Sequence, residues 1–156
     1  MTARVASLNI SAGGVPKHPV DAAEVGWLGI AGDVQRNRRF HGGPDRALCL
    51  FSMDLIDALR AEGHPIAPGS TGENVTIAGL DWSALVPGVR VWLGGVEIEV
   101  TGYASPCRNI QPSFLAGDSR RIDQRRRPGW SRVYGRVTTP GPLRRGDPVA
   151  LRTVSP

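Results

Sequence analysis

The chain has 156 residues, 40% of them hydrophobic and 21% charged, enough for one domain spanning 1–156 with a sizeable core and too few for two ordinary domains. Its 20 Gly and 13 Pro call for many loops and argue against a long-helix bundle. The net charge of +5 is unevenly placed: residues 108–145 hold ten Arg and two Asp, a local +8, while the rest of the chain sums to −3.

A basic stretch of this kind suits an anionic partner, whether nucleic acid, a phosphorylated cofactor or a membrane surface. Lys17 is the only Lys, against eighteen Arg. Two Cys, 58 residues apart, form neither a disulfide framework nor a metal knuckle. No apolar run has the length of a membrane span or the shape of a signal peptide. The expectation is a soluble protein in a reducing, cytoplasmic setting with free thiols.

In chain order, Val5 to Ile10 alternates and reads as a strand. Gly13-Gly14-Val15-Pro16-Lys17 is a loop, and Val25 to Ile30 reads as a second strand. Asp33 to Arg46 is polar and irregular. The apolar run Ala47 to Phe51 suits a buried strand. Ser52 is placed to cap a helix from Met53 to about Glu62, with Leu55, Ile56 and Leu59 as its apolar stripe and Gly63 as its stop. Asn74 to Ala78 reads as a strand, and Val89–Leu93 with Val96–Val100 reads as a hairpin about Gly94-Gly95. One or two short helices are expected within 112–127. Closing strands are expected at Trp130–Val137 and Val149–Thr153. Leu85 to Leu93 and Leu143 to Leu151 share the pattern L-x-x-G-x-x-V-x-L, a turn followed by a strand. The expected class is mainly β with a few short helices, arranged as a closed or half-closed β-barrel.

Several segments can carry chemistry. Cys107 follows a predicted strand and Pro106, so its thiol falls in a loop at a strand's end. Arg108 beside it would favour the thiolate, which is both a nucleophile and a soft-metal ligand; a passive loop thiol is the equal alternative. Cys49, inside an apolar run, reads as a small buried hydrophobe. His41-Gly42-Gly43-Pro44-Asp45-Arg46, with Arg36 and Arg38 upstream, can hold an anion through backbone N–H groups and guanidinium forks, or can be a solvated loop in which Asp45 pairs with Arg46. Thr71-Gly72-Glu73-Asn74 and the loop ending in Lys17 are two further polar Gly loops of the same kind. The run from Arg120 to Arg127, with Arg132, reads as a solvated basic face before it reads as a nucleic-acid patch. Zinc-ligand spacing and a G-x-S-x-G nucleophile are absent from the sequence.

The ordered set Gly-Val-Pro-Lys17, Gly-Ile-Ala-Gly-Asp33, His41-Gly-Gly-Pro-Asp-Arg-Ala47, Gly72-Glu-Asn74, Ser-Pro-Cys107, Val-Tyr-Gly-Arg-Val137 and Gly-Asp147 resembles the MOSC domain, the C-terminal module of molybdenum cofactor sulfurases. It is especially similar to the small stand-alone bacterial members. The resemblance covers about Ser7 to Leu151. It implies a MOSC-type β-barrel, similar to the pyruvate kinase β-barrel, that binds the molybdenum cofactor (molybdopterin). It also implies that Cys107 is the functional thiol: the molybdenum ligand of a reductase of N-hydroxylated compounds, or alternatively a sulfur carrier holding a persulfide.

On that resemblance Lys17, Arg36, Arg38, Gly42, Gly43, Thr71, Gly72, Glu73, Asn74 and Arg108 are the candidate cofactor-binding residues. His41 and Asp45 would orient the site or move protons, or serve structure only. Pyridoxal phosphate is not expected, since nothing of the size of the sulfurases' desulfurase domain fits. With too few Cys for an iron–sulfur cluster, electrons would come from a separate donor protein; in the carrier reading a sulfur donor takes that place. The expected partner is thus a protein donor with a small-molecule substrate. Nucleic acid ranks last, and no membrane partner is expected.

Overall fold

The computed structural model describes residues 2–34 and 43–152. Eleven strands and one α-helix are found among them. The strands are β1 (Arg4–Ile10), β2 (His18–Val20), β3 (Ala22–Gly26), β4 (Gly29–Ile30), β5 (Leu48–Ser52), β6 (Val75–Ala78), β7 (Arg90–Leu93), β8 (Val96–Tyr103), β9 (Val133–Thr139), β10 (Gly141–Arg144) and β11 (Val149–Leu151). The helix, α1, spans Met53–Ala61. No helix among the described residues is long and apolar enough to cross a membrane.

An eight-stranded sheet runs in the order β11-β7-β8-β9-β5-β6-β1-β2, and β10-β3-β4 form a smaller one. All pairings in the large sheet are antiparallel except β5 with β6. The helix explains that exception. A parallel return needs a crossover, and α1 with the loop after it supplies one. Ser52 caps α1 by accepting the Leu55 N–H at 3.1 Å, and Ile56 and Leu59 are fully buried on the inner face. Gly63 ends it with φ +100°, a conformation that favours glycine.

Three bonds tie β1 and the residue before it to the segment around the start of β11. Val5 N–H donates to the Asp147 carbonyl, Gly146 N–H to that of Val5, and Val149 N–H to that of Ala3, at 2.8–2.9 Å. The chain therefore returns from β1 to the segment entering β11. The two L-x-x-G-x-x-V-x-L repeats meet in the same region. Their strands, β7 and β11, pair antiparallel, with Val149 opposite Leu93 and Leu151 opposite Val91. One connected core fills the interior, with Leu8, Leu50, Phe51, Ile77, Val91, Ile98 and Val133 among its members.

The sequence expectations need two corrections and two additions. Val25 to Ile30 is not one strand but the turn of the β3–β4 hairpin, with Gly26 opposite Gly29 and Trp27 and Leu28 exposed at the tip. Gly29 is required there, because a Cβ would lie 2.6 Å from the Ala47 carbonyl oxygen. The helical content after Cys107 is three short 3₁₀ segments, Arg108–Ser113, Leu115–Gly117 and Ser119–Ile122. The strand expected from Trp130 starts only at Val133, since Trp130 lies under the Arg127 guanidinium, 3.3 Å from its ring centroid. β2 and β10 were not expected at all.

Candidate functional site

The loops that follow β1, β6's neighbour Asn74 and β8 converge on one cavity of about 320 Å³. Asn74 is the bracket that holds them together. Its N–H donates to the Cys49 carbonyl at 2.7 Å, and its side-chain oxygen accepts the Cys49 N–H at 3.0 Å. Its amide nitrogen donates to Asp33 Oδ2 at 2.9 Å and to the Asn9 carbonyl at 3.4 Å. The side chain thus spends its donors on the frame.

Lys17 is tied to the same bracket. Its Nζ lies 2.6 and 2.7 Å from the two Asp33 oxygens, and its N–H donates to the Gly69 carbonyl at 2.9 Å. Gly69, at φ +81°, must be glycine, because a Cβ there would fall on the Lys17 carbonyl oxygen.

Cys107 stands between the end of β8 and the first 3₁₀ segment. It is half-buried and free, and it lines the cavity with Lys17, Thr71, Gly72 and Asn74. The structure thus brings together five of the residues singled out in the sequence. Arg36, Arg38, His41 and Gly42 lie outside the described residues. The others do not line the cavity. Asp45 is 75% exposed and faces Arg136 at 3.9 Å. Gly43 borders a separate groove beside Trp27 and Leu28. Arg108 is exposed. Glu73 is buried behind the loop and accepts the hydroxyls of Thr71 and Thr76 at 2.8 and 3.0 Å. Burial pushes its carboxyl above the usual range, against the hydrogen bonds that favour its ionised form.

Cys49, Arg132 and Tyr134 are among the cavity-lining residues that escaped sequence reasoning as site residues. Arg132 was read as part of a basic run. It is only 6% exposed, and its terminal nitrogens donate to the carbonyls of Thr71 at 2.6 Å and Ser105 at 3.2 Å. It therefore clasps the loop before Gly72 to the loop before Cys107. Its Nε is buried without a hydrogen-bond partner, and among the described residues no carboxylate lies within ion-pair distance of it. The guanidinium beside the thiol loop is thus Arg132 rather than the adjacent Arg108.

Cys49 and Tyr134 face each other across β5 and β9 and pack with Ala104. Burial pushes the Cys49 thiol up to about 11, with Arg132 opposing. Burial also raises the Tyr134 phenol, with Arg132 and Arg46 opposing. The Arg46 guanidinium lies 5.0 Å from the Tyr134 ring centroid. Cys49 is as buried as its apolar run implied, yet it belongs to the cavity wall. The one signal that could have found this trio is strand alternation: residues i and i+2 share a face, so Arg132 and Tyr134 would project together.

Three other guanidinium groups of the basic run have carboxylate neighbours within the chain. Arg120 pairs with Asp118 at 2.7 Å, Arg121 with Glu62, and Arg127 lies 4.0 Å from Glu62.

Fold and site define a mainly β domain whose cavity is lined by two thiols, a phenol and a buried guanidinium. The chain belongs to the MOSC domain family, whose model matches residues 37–150. It is similar to protein YiiM of Escherichia coli K12, at 32% identity over 80% of this chain and 56% of that protein. It is also similar to the uncharacterized protein YflK of Bacillus subtilis 168, at 26% identity over 88% of this chain and 62% of that one. The chain thus spans roughly three-fifths of the length of these curated relatives. Among solved structures, YiiM from Geobacillus stearothermophilus superposes with a TM-score of 0.77 over 97% of this chain and 75% of that one, at 24% identity. YiiM from E. coli does so at 0.71 over 99% and 71%, at 26% identity. The fold is therefore YiiM-like.

Proposed function

We propose that this MOSC domain binds the molybdenum cofactor in the Cys107 cavity and reduces N-hydroxylated compounds, drawing electrons from a separate donor protein. The observation that carries the reading is that the Cys107 thiol and the buried Arg132 guanidinium line the same cavity. A thiolate is a soft ligand suited to a sulfur-rich metal centre. A buried cation without a carboxylate is costly, and an anionic group in the cavity relieves that cost. The buried Arg132 Nε, which has no hydrogen-bond partner, supports an anionic ligand.

In this reading Cys107 would ligate molybdenum, Arg132 would balance negative charge, and Thr71 and Gly72, which line the same cavity, would help hold the pterin. Lys17 contributes little net charge, because Asp33 neutralises it. When bound, the cofactor supplies the two-electron redox chemistry. A pyridoxal phosphate Schiff base would have to form on Lys17, whose ammonium Asp33 holds on both oxygens. The circuit from β1 through β6, β5, β9, β8 and β7 to β11 is read as the wall of the half-closed barrel.

The test is metal analysis of protein made in cells with intact cofactor biosynthesis. Stoichiometric molybdenum, lost in Cys107→Ser, is the expected result. Metal-free wild-type protein, under conditions that load a family member, overturns the reading. A second reading, a persulfide carrier, draws on the exposure of Arg108 and Asn109 beside Cys107, where a protein sulfur donor has access. Incubation with a desulfurase and mass spectrometry decides it: added sulfur on Cys107 favours the carrier, and an unmodified thiol removes it.

A further inference from the structure

Removing the oxygen of an N–OH group as water consumes two electrons and two protons: R–NH–OH + 2 e⁻ + 2 H⁺ → R–NH₂ + H₂O. The electrons come from the donor protein, a one-electron carrier by class. One proton goes to the nitrogen. The other must reach the departing oxygen inside the cavity, from a group that lines it.

We propose that Tyr134 is that group, giving its Oη proton to the oxygen as the N–O bond breaks and recovering one from solvent. The proposal rests on the reductase reading above. It is a specific assignment, because the described ionisable groups of the cavity wall are few. Lys17 is held by both oxygens of Asp33. Arg46 and Arg132 do not surrender protons in a protein. Cys107 is taken by the metal. Cys49, opposite Tyr134 in the same cavity wall, is the rival donor, and Tyr134→Phe below separates the two. The two carboxyls singled out in the sequence point elsewhere: Asp45 faces Arg136 on the surface, and Glu73 is sealed behind Thr71.

Tyr134 also has what a transient phenolate needs. Arg46 sits 5.0 Å from its ring centroid, and Arg132 lines the same cavity. Both oppose the effect of burial, while the thiols of Cys49 and Cys107 add to it. A phenol so placed is neutral at rest and loses its proton only when a base, here the departing oxygen, forms beside it.

The experiment compares wild type with Tyr134→Phe, Tyr103→Phe and His41→Gln, each made with cofactor biosynthesis intact and checked for unchanged thermal unfolding. Molybdenum content, kcat, KM and the pH profile on an aromatic amidoxime are measured. Tyr134→Phe should keep its molybdenum and its KM while kcat falls roughly 100-fold, the usual weight of a general acid, and the alkaline limb of the kcat profile should vanish. Tyr103→Phe leaves Tyr134 as the only tyrosine. In that variant without cofactor, near-UV tyrosinate absorbance should rise only above the ordinary value of about 10.

Full kcat in molybdenum-loaded Tyr134→Phe overturns the proposal and leaves the reductase reading standing. So does loss of the alkaline limb in His41→Gln with Tyr134→Phe unaffected. A wild-type protein without molybdenum removes both.

Discussion

Lys17 and Asp33 form a bidentate ion pair, 2.6 and 2.7 Å from nitrogen to oxygen, with both side chains more than nine-tenths buried. Asp33 also accepts the Ser11 N–H at 3.0 Å and the Asn74 amide at 2.9 Å. The pair is the keystone of the cavity rather than a free anion receptor. Asp33→Ala leaves an ammonium buried and unpaired, which should cost about 3–5 kcal/mol. Urea unfolding measures it, and Asp33→Asn combined with Lys17→Met should recover part of the loss.

The two thiols should separate chemically. At pH 8 iodoacetamide should add one equivalent, on Cys107, because Cys49 is buried and its thiol is held up at about 11. Intact mass followed by peptide mapping reads the site. Modification of Cys49 in the folded protein at that pH contradicts the burial described above.

Cys49 should also shape the alkaline limit of stability. Its thiol ionises at 9.0 when unfolded and about 11 when folded, so the unfolded chain loses the proton first. The stabilisation is complete below pH 9 and disappears as pH rises towards 11. Two pH units correspond to roughly 2–3 kcal/mol. Cys49→Ala should flatten the fall in unfolding free energy between pH 9 and 11, leaving the part due to Tyr134.

Gly69 and Gly146 both have positive φ, +81° and +95°. A Cβ at Gly69 collides with the Lys17 backbone, whereas one at Gly146 meets nothing within 4 Å. Gly146→Ala should therefore cost only about 1–2 kcal/mol of backbone strain. Gly69→Ala should cost distinctly more and perturb Lys17. Equal losses in thermal unfolding would refute the close approach.

The fold was legible where local signals and tertiary demands agree. Ser52, the Leu55-Ile56-Leu59 stripe and Gly63 specified α1 within a residue of its end, and the Gly94-Gly95 hairpin was equally plain. β2 and β10 escaped because three- and four-residue strands containing Pro carry no alternation worth reading. Val25 to Ile30 read as one strand because the segment is apolar, though Val25 and Ile30 lie on opposite arms of a hairpin. The site was half legible. Cys107, Lys17 and the Thr71–Asn74 loop stand in short motifs, so their neighbours in sequence are also their neighbours in space. Arg132 does not: it joins Thr71, 61 positions earlier, to Ser105, 27 positions earlier, and nothing in a basic run says which guanidinium turns inward.

The bonds from Ala3 and Val5 to residues 146–149 span nearly the whole described chain. Contacts of such sequence separation are the slowest to reward the chain for closing its loops. The seam between β1 and the segment entering β11 therefore carries the largest loop-closure cost among these contacts, and no local stretch of chain can form it alone.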